Sequence, residues 1–199
     1  MLTIELAGQS RTNLGKKESK ALRANELVPC VLYGTGENVN FTVDAKSFNK
    51  VIVTPNVYVV LLNIDGKVRK AIIKEVQFHP VSDAVMHVDF LEIVDNKPFT
   101  TKLPIKIEGH SEGVKQGGKL KVKMRKMKVS GLLKDMPSEL VIDITSLGIG
   151  QTIKLSSLSF NGLTIEEPKT SVVCSVFVTR DVAATAAAAT AAPAAAPAK

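Results

Sequence analysis

The chain has 199 residues, 45% of them hydrophobic, two cysteines, and 26 Lys+Arg against 19 Asp+Glu for a formal charge of +7. That length accommodates one large domain or two ordinary ones, each able to bury a core unaided, which excludes a miniprotein dependent on disulfides or metals. The moderate positive excess points toward an acidic partner such as nucleic acid or an anionic membrane.

The opening MLTIELAGQSR has neither a basic n-region nor a sustained apolar h-region, so no signal peptide is expected. Leu2, Ile4 and Leu6 alternate with Thr3 and Glu5, which predicts a first strand. KKESKALRANEL, from Lys16 to Leu27, is rich in helix formers and stops just before Pro29. Val31 to Gly34 and Val39 to Val43 read as short strands, and Asp44 as the N-cap of a second short helix, AKSFNKVI. VYVVLLNI and KVRKAIIKEVQF flank Asp65-Gly66, a strong hairpin signal between β-branched runs. His79-Pro80 ends that hairpin, and Ala84 to Val94 forms another strand. The apolar stretch from Val51 to Ile64 is interrupted by Thr54, Pro55, Asn56 and Asn63, so it cannot span a bilayer and no membrane partner is expected.

After the turn-like Asp95 to Pro98 the helical signals nearly vanish. A second, β-rich domain is expected, with strands in TTKLPIKIEG, KLKVKMRKMKVSG, LVIDI, GQTIKL and TSVVCSVFVT. The Ala/Pro-rich end reads as a flexible extension. The fold class is therefore mainly β with short helices (α+β). An N-terminal small β-barrel or sandwich with helices spans 1–94, a separate all-β C-terminal domain spans 95–180, and a disordered tail spans 181–199. Cys30 and Cys174 lie far apart with no CxxC pair and are expected to be reduced, in a cytoplasmic protein.

Residues 1–94 carry 11 Lys+Arg against 10 Asp+Glu, whereas 95–180 carry 14 against 8. The basicity is concentrated in Lys115, Lys119, Lys121, Lys123, Arg125, Lys126 and Lys128. Enzyme motifs fail: a P-loop at Gly15-Lys16 would need Gly where Ser10 stands and Ser or Thr where Lys17 stands, and there is no GxSxG, HExxH or GxGxxG opening a helix. His79, His87 and Asp89 make an incomplete metal set. No enzyme activity, cofactor or small-molecule substrate is expected.

Strand parity is more informative. In VMHVDF, Met86, Val88 and Phe90 share one face while His87 and Asp89 share the other, about 7 Å apart. Glu75, Gln77 and His79 fall together on the hairpin's second strand, opposite Val76 and Phe78. If these strands pair, their polar faces merge into a platform that both donates and accepts hydrogen bonds, which suits base edges. The ordinary alternative is a solvated sheet face. On the first helix, Lys16, Lys20 and Arg23 fall in one cationic stripe with Leu22 turned away; the ordinary alternative is again a solvated face.

Arg11, Gly15-Lys16, Ser19-Lys20, Leu22-Arg23, the run Pro29 to Gly34 (PCVLYG), the run Val76 to Pro80 (VQFHP) and the run His87 to Phe90 (HVDF) occur in that order. This set resembles the bacterial large-subunit ribosomal protein number twenty-five, or general stress protein Ctc, family in its long two-domain form; the KLPIKIEGHSEGVKQGGKL and SLGIGQTIKLSSL segments resemble that form's C-terminal domain. The resemblance implies a component of the large ribosomal subunit that binds 5S rRNA at its loop E region, alongside other rRNA and neighbouring ribosomal proteins. On matching positions it implies Arg11, Lys16, Lys20 and Arg23 at phosphates and groove edges. It also implies that Tyr33, Gln77, His79, His87 and Asp89 face the RNA, with His87 and Asp89 as base readers. Lys20 stands where the family usually has Arg, replacing a bidentate fork with a point charge. Cys30 stands where Ala is usual and is expected to be buried. The competing readings are a tRNA anticodon-binding module and a stress-related interaction protein acting off the ribosome through Lys115 to Lys128.

Overall fold

The computed structural model describes residues 1–36 and 38–178; the stretch read as a tail, 181–199, lies outside the described residues. Six strands close into a barrel: β1 (Leu2–Ser10), β2 (Leu27–Tyr33), β3 (Val39–Asp44), β4 (Tyr58–Ile64), β5 (Lys67–Phe78) and β6 (Val85–Glu92), in the order β1-β3-β2-β6-β5-β4. Two short helices interrupt them, α1 (Lys16–Ala24) and α2 (Ala45–Ile52). The β1–β4 and β2–β6 pairs are parallel and the other four are antiparallel. Gly8 lies where β1 passes from β4 to β3, and a Cβ there would come within 2.8 Å of the Phe41 ring. Closure at that point therefore needs glycine.

The barrel interior is apolar and dry of charge. Leu6, Val28, Cys30, Leu32, Phe41, Val43, Val60, Leu62, Ala71, Val88 and Phe90 are buried there, and α2 adds Phe48 and Val51. Phe90 is the central ring, 5.6 Å from Phe41 in a tilted arrangement and 6.1 Å from Phe48 edge to face, both favoured geometries. The Asp44 side chain accepts a hydrogen bond from the Ser47 N–H at 3.0 Å and so caps α2 as its sequence position predicts. That hydrogen bonding holds the Asp44 carboxyl below the usual carboxylate range. Asp65 and Gly66 adopt φ of 49° and 84°, the left-handed pair that a type I′ hairpin demands, and Asn63 Oδ1 accepts from the Gly66 N–H at 3.1 Å.

Two local expectations need correcting. The first helix ends at Ala24, not Leu27, and β2 already begins at Leu27, so Pro29 lies inside a strand. It is tolerated because Pro29 lies opposite Thr42 of β3, while the parallel pairing with β6 begins only at Cys30. The missing N–H thus falls where β2 has a single neighbour. The run from Lys119 to Gly131 is likewise two strands, not one.

The remaining elements are β7 (Phe99–Glu108), α3 (Glu112–Lys115), β8 (Lys119–Val122), β9 (Lys126–Gly131), β10 (Leu140–Asp143), β11 (Thr152–Lys154), a 3-10 turn at Leu155–Ser157, β12 (Leu163–Ile165) and β13 (Val172–Phe177). The described chain forms two compact units. The first comprises 1–104, 128–139 and 161–166, and the second the rest. In the first, beside the barrel, β9 pairs antiparallel with β12, and Glu166 accepts from Thr100 Oγ1 at 2.7 Å and meets Lys128 Nζ at 2.9 Å.

In the second unit, β11, β13 and β8 form a three-stranded antiparallel sheet with β13 in the middle, and β10 runs parallel to the Ile105–Glu108 part of β7. Ile144, Leu147, Cys174 and Val176 are its buried cluster, with Ile107, Leu120 and Ile153 packed against them. The ladder with β13 ends where the N–H groups of Lys123 and Met124 both donate to the Val173 carbonyl, at 2.9 and 3.1 Å, which separates β8 from β9. No helix among the described residues is long and apolar enough to cross a membrane.

Because Phe90 fills the space between two other rings, Phe90→Ala is expected to lower stability by about 3–5 kcal/mol in chemical denaturation. Cys30 is fully buried, and burial pushes its thiol up to about 12, with the Arg11 charge opposing only part of that effect. A thiol-reactive dye at pH 8 is therefore expected to leave Cys30 unlabelled in the native chain and to label it in denaturant; native-state labelling at the rate of a free thiol would contradict this packing.

Candidate nucleic-acid interface

The outer face of β2, β6 and β5 gathers the polar residues. The antiparallel β5–β6 register sets Glu75 opposite Asp89 and Gln77 opposite His87, while the parallel β2–β6 register sets Val31 beside Asp89 and Tyr33 beside Leu91. Val88 and Phe90, between and beyond the polar pair, point inward and are fully buried. Tyr33, His87 and Asp89 are half-buried, and Glu75 and Gln77 are exposed. Burial, with the Asp89 and Glu75 charges nearby, raises the Tyr33 phenol above its ordinary value, so it stays a neutral O–H donor.

His87 and Asp89 stand two residues apart on the strand, yet their side chains close the gap. Nδ1 of His87 lies 2.8 Å from Asp89 Oδ1, with about 27% and 29% of the two side chains exposed. In the tautomer with its proton on Nδ1, directed at Asp89 Oδ1, His87 offers Nε2 as an acceptor beside the second oxygen of Asp89. The pair thus presents two acceptors on a rigid strand, a match for the amino groups of bases rather than for phosphate oxygens.

Two bulges modify the expected alternation. Lys74 is an extra residue in β5 and Met86 one in β6, since the register steps from Ile73–Phe90 to Glu75–Asp89 and from Gln77–His87 to Phe78–Val85. Ile73, Val76 and Val85 therefore pack against the barrel core, whereas strict alternation would have put Met86 inward in place of Val85. The Met86 carbonyl instead accepts a hydrogen bond from Arg23 Nη1 at 3.3 Å. This bond fixes α1 and its cationic stripe next to the polar platform. Lys16 and Lys20 are exposed on the same helix.

His79 and Arg11 are placed differently from the others. His79 follows the end of β5, and its Nδ1 accepts from the N–H groups of Val81 and Ser82 at 3.4 and 3.3 Å, while its N–H and carbonyl bond to Ala84 and Asp83. Its ring is the organiser of the 79–84 turn, and only Nε2–H remains to meet a ligand. Arg11 is partly enclosed, with Nε and Nη1 shut away from water and without a hydrogen-bond partner. Its reach outward is narrower than that of Lys16 or Lys20, and its enclosed donors are ones that folded proteins usually satisfy.

The structure thus unites Tyr33, Gln77, His87 and Asp89 on one face, brings Arg23 to its border, leaves Lys16 and Lys20 exposed on α1, and sets His79 and Arg11 at structural positions. Sequence parity did not reveal the Met86 carbonyl or the 46% exposure of Phe78 beside Gln77, because both arise at a bulge. The cue in sequence was the meeting of two apolar residues, Val85 and Met86, at the start of β6, a break in alternation that Phe90-Leu91 repeats farther along. Among the described residues no group of three His, Cys, Asp or Glu side chains is arranged to hold a metal ion.

The profile of the Ribosomal L25p family matches residues 6–90, and that of the ribosomal protein TL5 C-terminal domain matches residues 98–180. The large ribosomal subunit protein bL25 of Phocaeicola vulgatus is 48% identical over 194 residues, 94% of this chain and 98% of that protein. The protein of the same name from Porphyromonas gingivalis is 45% identical over 182 residues, covering 90% and 95% of the two chains. That of Bacteroides thetaiotaomicron is 45% identical over 192 residues, covering 94% and 98%.

The turn role of His79 is separable by substitution. His79→Asn retains a side-chain acceptor of the kind that closes Asx turns, whereas His79→Ala does not. Amide hydrogen exchange at Val81 and Ser82 is expected to quicken about fivefold in His79→Ala, the effect of losing roughly one hydrogen bond, and to stay near the native rate in His79→Asn. Equal rates in all three chains would remove the turn assignment.

Proposed function

The chain belongs to the ribosomal L25p family and is a non-enzymatic structural constituent of the large ribosomal subunit, and from that premise we propose that it binds 5S rRNA at the loop E region through the outer face of β2, β5 and β6. Its place of work is the ribosome, in the cytoplasm, with rRNA and neighbouring ribosomal proteins as partners. Residues 1–94 form the RNA-binding domain and 95–180 a second, β-rich domain.

The observation that carries this reading is the His87–Asp89 contact at 2.8 Å on a strand whose inward residues Val88 and Phe90 are fully buried. A regular A-form helix hides its base edges in a deep, narrow groove, so sequence is legible only where pairing is irregular. An internal loop of non-Watson–Crick pairs opens that groove. A pre-set pair of acceptors then meets base amino groups at little entropic cost, because neither side chain must be ordered on binding. Gln77 and Tyr33 add hydrogen-bond partners on the same face, while Lys16 and Lys20 engage phosphates and fix the register. Arg23 keeps one nitrogen on Met86 and has the others for RNA. Lys20 contributes charge without a planar fork.

The two groups have different expected signatures in gel-shift titrations with 5S rRNA. Lys16→Ala, Lys20→Ala and Arg23→Ala each lower affinity for any RNA and reduce the slope of log K against log salt by about 0.7–0.9. His87→Ala and Asp89→Ala leave the slope unchanged and cost about 1–3 kcal/mol of preference for the cognate loop over a regular duplex. Full-strength, fully selective binding by a chain carrying Lys20→Ala, Arg23→Ala, His87→Ala and Asp89→Ala together would refute the site.

A further inference from the structure

We propose that β8 and the segment that follows it, Lys119 to Lys126, form a second RNA-binding surface, which takes the phosphate backbone of a double-stranded region without reading its bases. The proposal rests on the reading above only in taking RNA as the partner, and its residues belong to the second unit alone.

Among the described residues β8 has a single neighbour, β13, so it is the edge of its sheet and one row of its backbone amides faces outward. Leu120 packs into the cluster around Cys174 and Val176, which turns Lys119 and Lys121 to the other face. Lys119, Lys121, Lys123, Arg125 and Lys126 are all exposed. No acidic residue occurs between Glu112 and Asp135. The neighbouring lysines are neutralised, Lys106 by Glu108 at 3.3 Å and Lys128 by Glu166 at 2.9 Å, whereas none of these five has a carboxylate partner among the described residues.

Alternate positions on a strand are about 7 Å apart, inside the ~8 Å Debye length of physiological salt. Lys119 and Lys121 stand at that spacing, and Lys123, Arg125 and Lys126 follow within five residues, so the like charges repel one another, and a polyanion relieves the repulsion while releasing its own counterions. Protecting a sheet edge from self-association requires fewer charges than this. The surface also holds an aromatic ring: Phe177, 47% exposed, lies opposite Lys119 in the register, with Lys121 Nζ 5.8 Å from its ring centroid.

The composition selects the partner. From Lys119 to Lys128 there is no Asn, Gln, Ser, Thr or Asp to read a base, and four of the five charges are flexible ammonium groups rather than planar forks. Such groups meet the evenly spaced phosphates of a backbone as point charges and lack the planar fork that reads a base edge.

The test uses the full chain and two probes, a regular 20-base-pair RNA duplex and 5S rRNA. Replacing Lys119, Lys121, Lys123 and Arg125 together by Gln is expected to weaken duplex binding at least tenfold and to lower its salt slope by about 3, with selectivity for the 5S loop retained. The barrel variant carrying His87→Ala and Asp89→Ala is expected to do the reverse, keeping duplex affinity and losing loop selectivity. Failure of the two sites is thereby distinguishable. Native duplex affinity in the Gln variant overturns the proposal, including where that variant self-associates, since the lysines then only guard the edge. Competition by poly-glutamate as effective as by the duplex overturns it in favour of an acidic protein. If the fourfold variant fails to fold, Lys121→Gln/Lys123→Gln is read instead: a loss of threefold or more supports the proposal and native affinity overturns it.

Discussion

The inward packing of Val88 and Phe90 is the constraint on which the outer face depends. Side chains on a strand alternate, so fixing these two residues inside the barrel, with Phe90 between Phe41 and Phe48, fixes His87 and Asp89 outside. A slip of one residue in β6 would bury two polar groups and expose two apolar ones, several kcal/mol in the wrong direction. The core therefore specifies the register of the candidate site as well as the stability of the fold. The parallel neighbour β2, whose Cys30 and Leu32 are also fully buried, sets Tyr33 on the same outer face by the same alternation.

The two histidines at this end of the barrel carry their protons on opposite nitrogens. His87 gives its Nδ1 side to Asp89, whereas His79 accepts backbone N–H groups at Nδ1. One ring presents an acceptor outward and the other a donor. The difference follows from local backbone: His87 is held in a continuous strand with a carboxylate two residues on, while His79 starts a turn whose amides lack strand partners. A histidine next to a binding surface is thus not automatically part of it.

Much of the barrel was legible because its signals are local. Asp65-Gly66 needs left-handed backbone, Asp44 precedes a short amphipathic segment, and Val88 and Phe90 alternate with polar residues; each is readable within a few positions. The sequence put Gln77 and His87 on faces that merge only if their strands pair, and the register that sets them opposite each other comes from the fold. The extra residues Lys74 and Met86 were not legible, since a bulge is decided by how two strands fit across the barrel and leaves little trace in either strand. Nor was the strand break at Lys123 to Arg125, where an uninterrupted run of basic and apolar residues conceals a change of sheet. Pro29 misled in the opposite direction: it marks a helix stop in isolation, yet lies in a strand at the stretch that has only one neighbour. Of the candidate site, residue identities came from strand parity and the family resemblance, whereas the contact between His87 and Asp89 and the anchoring of Arg23 on Met86 depend on side-chain geometry.

The charge of +7 has a comparable lesson, because the domain assigned to specific recognition is nearly neutral. Recognition by an arranged pair of acceptors needs little net charge, while backbone binding by β8 needs much. The central claim, that the face bearing His87 and Asp89 reads an irregular loop, is tested most directly by a hydroxyl-radical footprint of the full chain on 5S rRNA. Protection confined to the internal loop, and lost when His87 and Asp89 are both replaced by Ala, is the expected result; the same protection pattern persisting in that variant, or protection spread over regular stems, would contradict it.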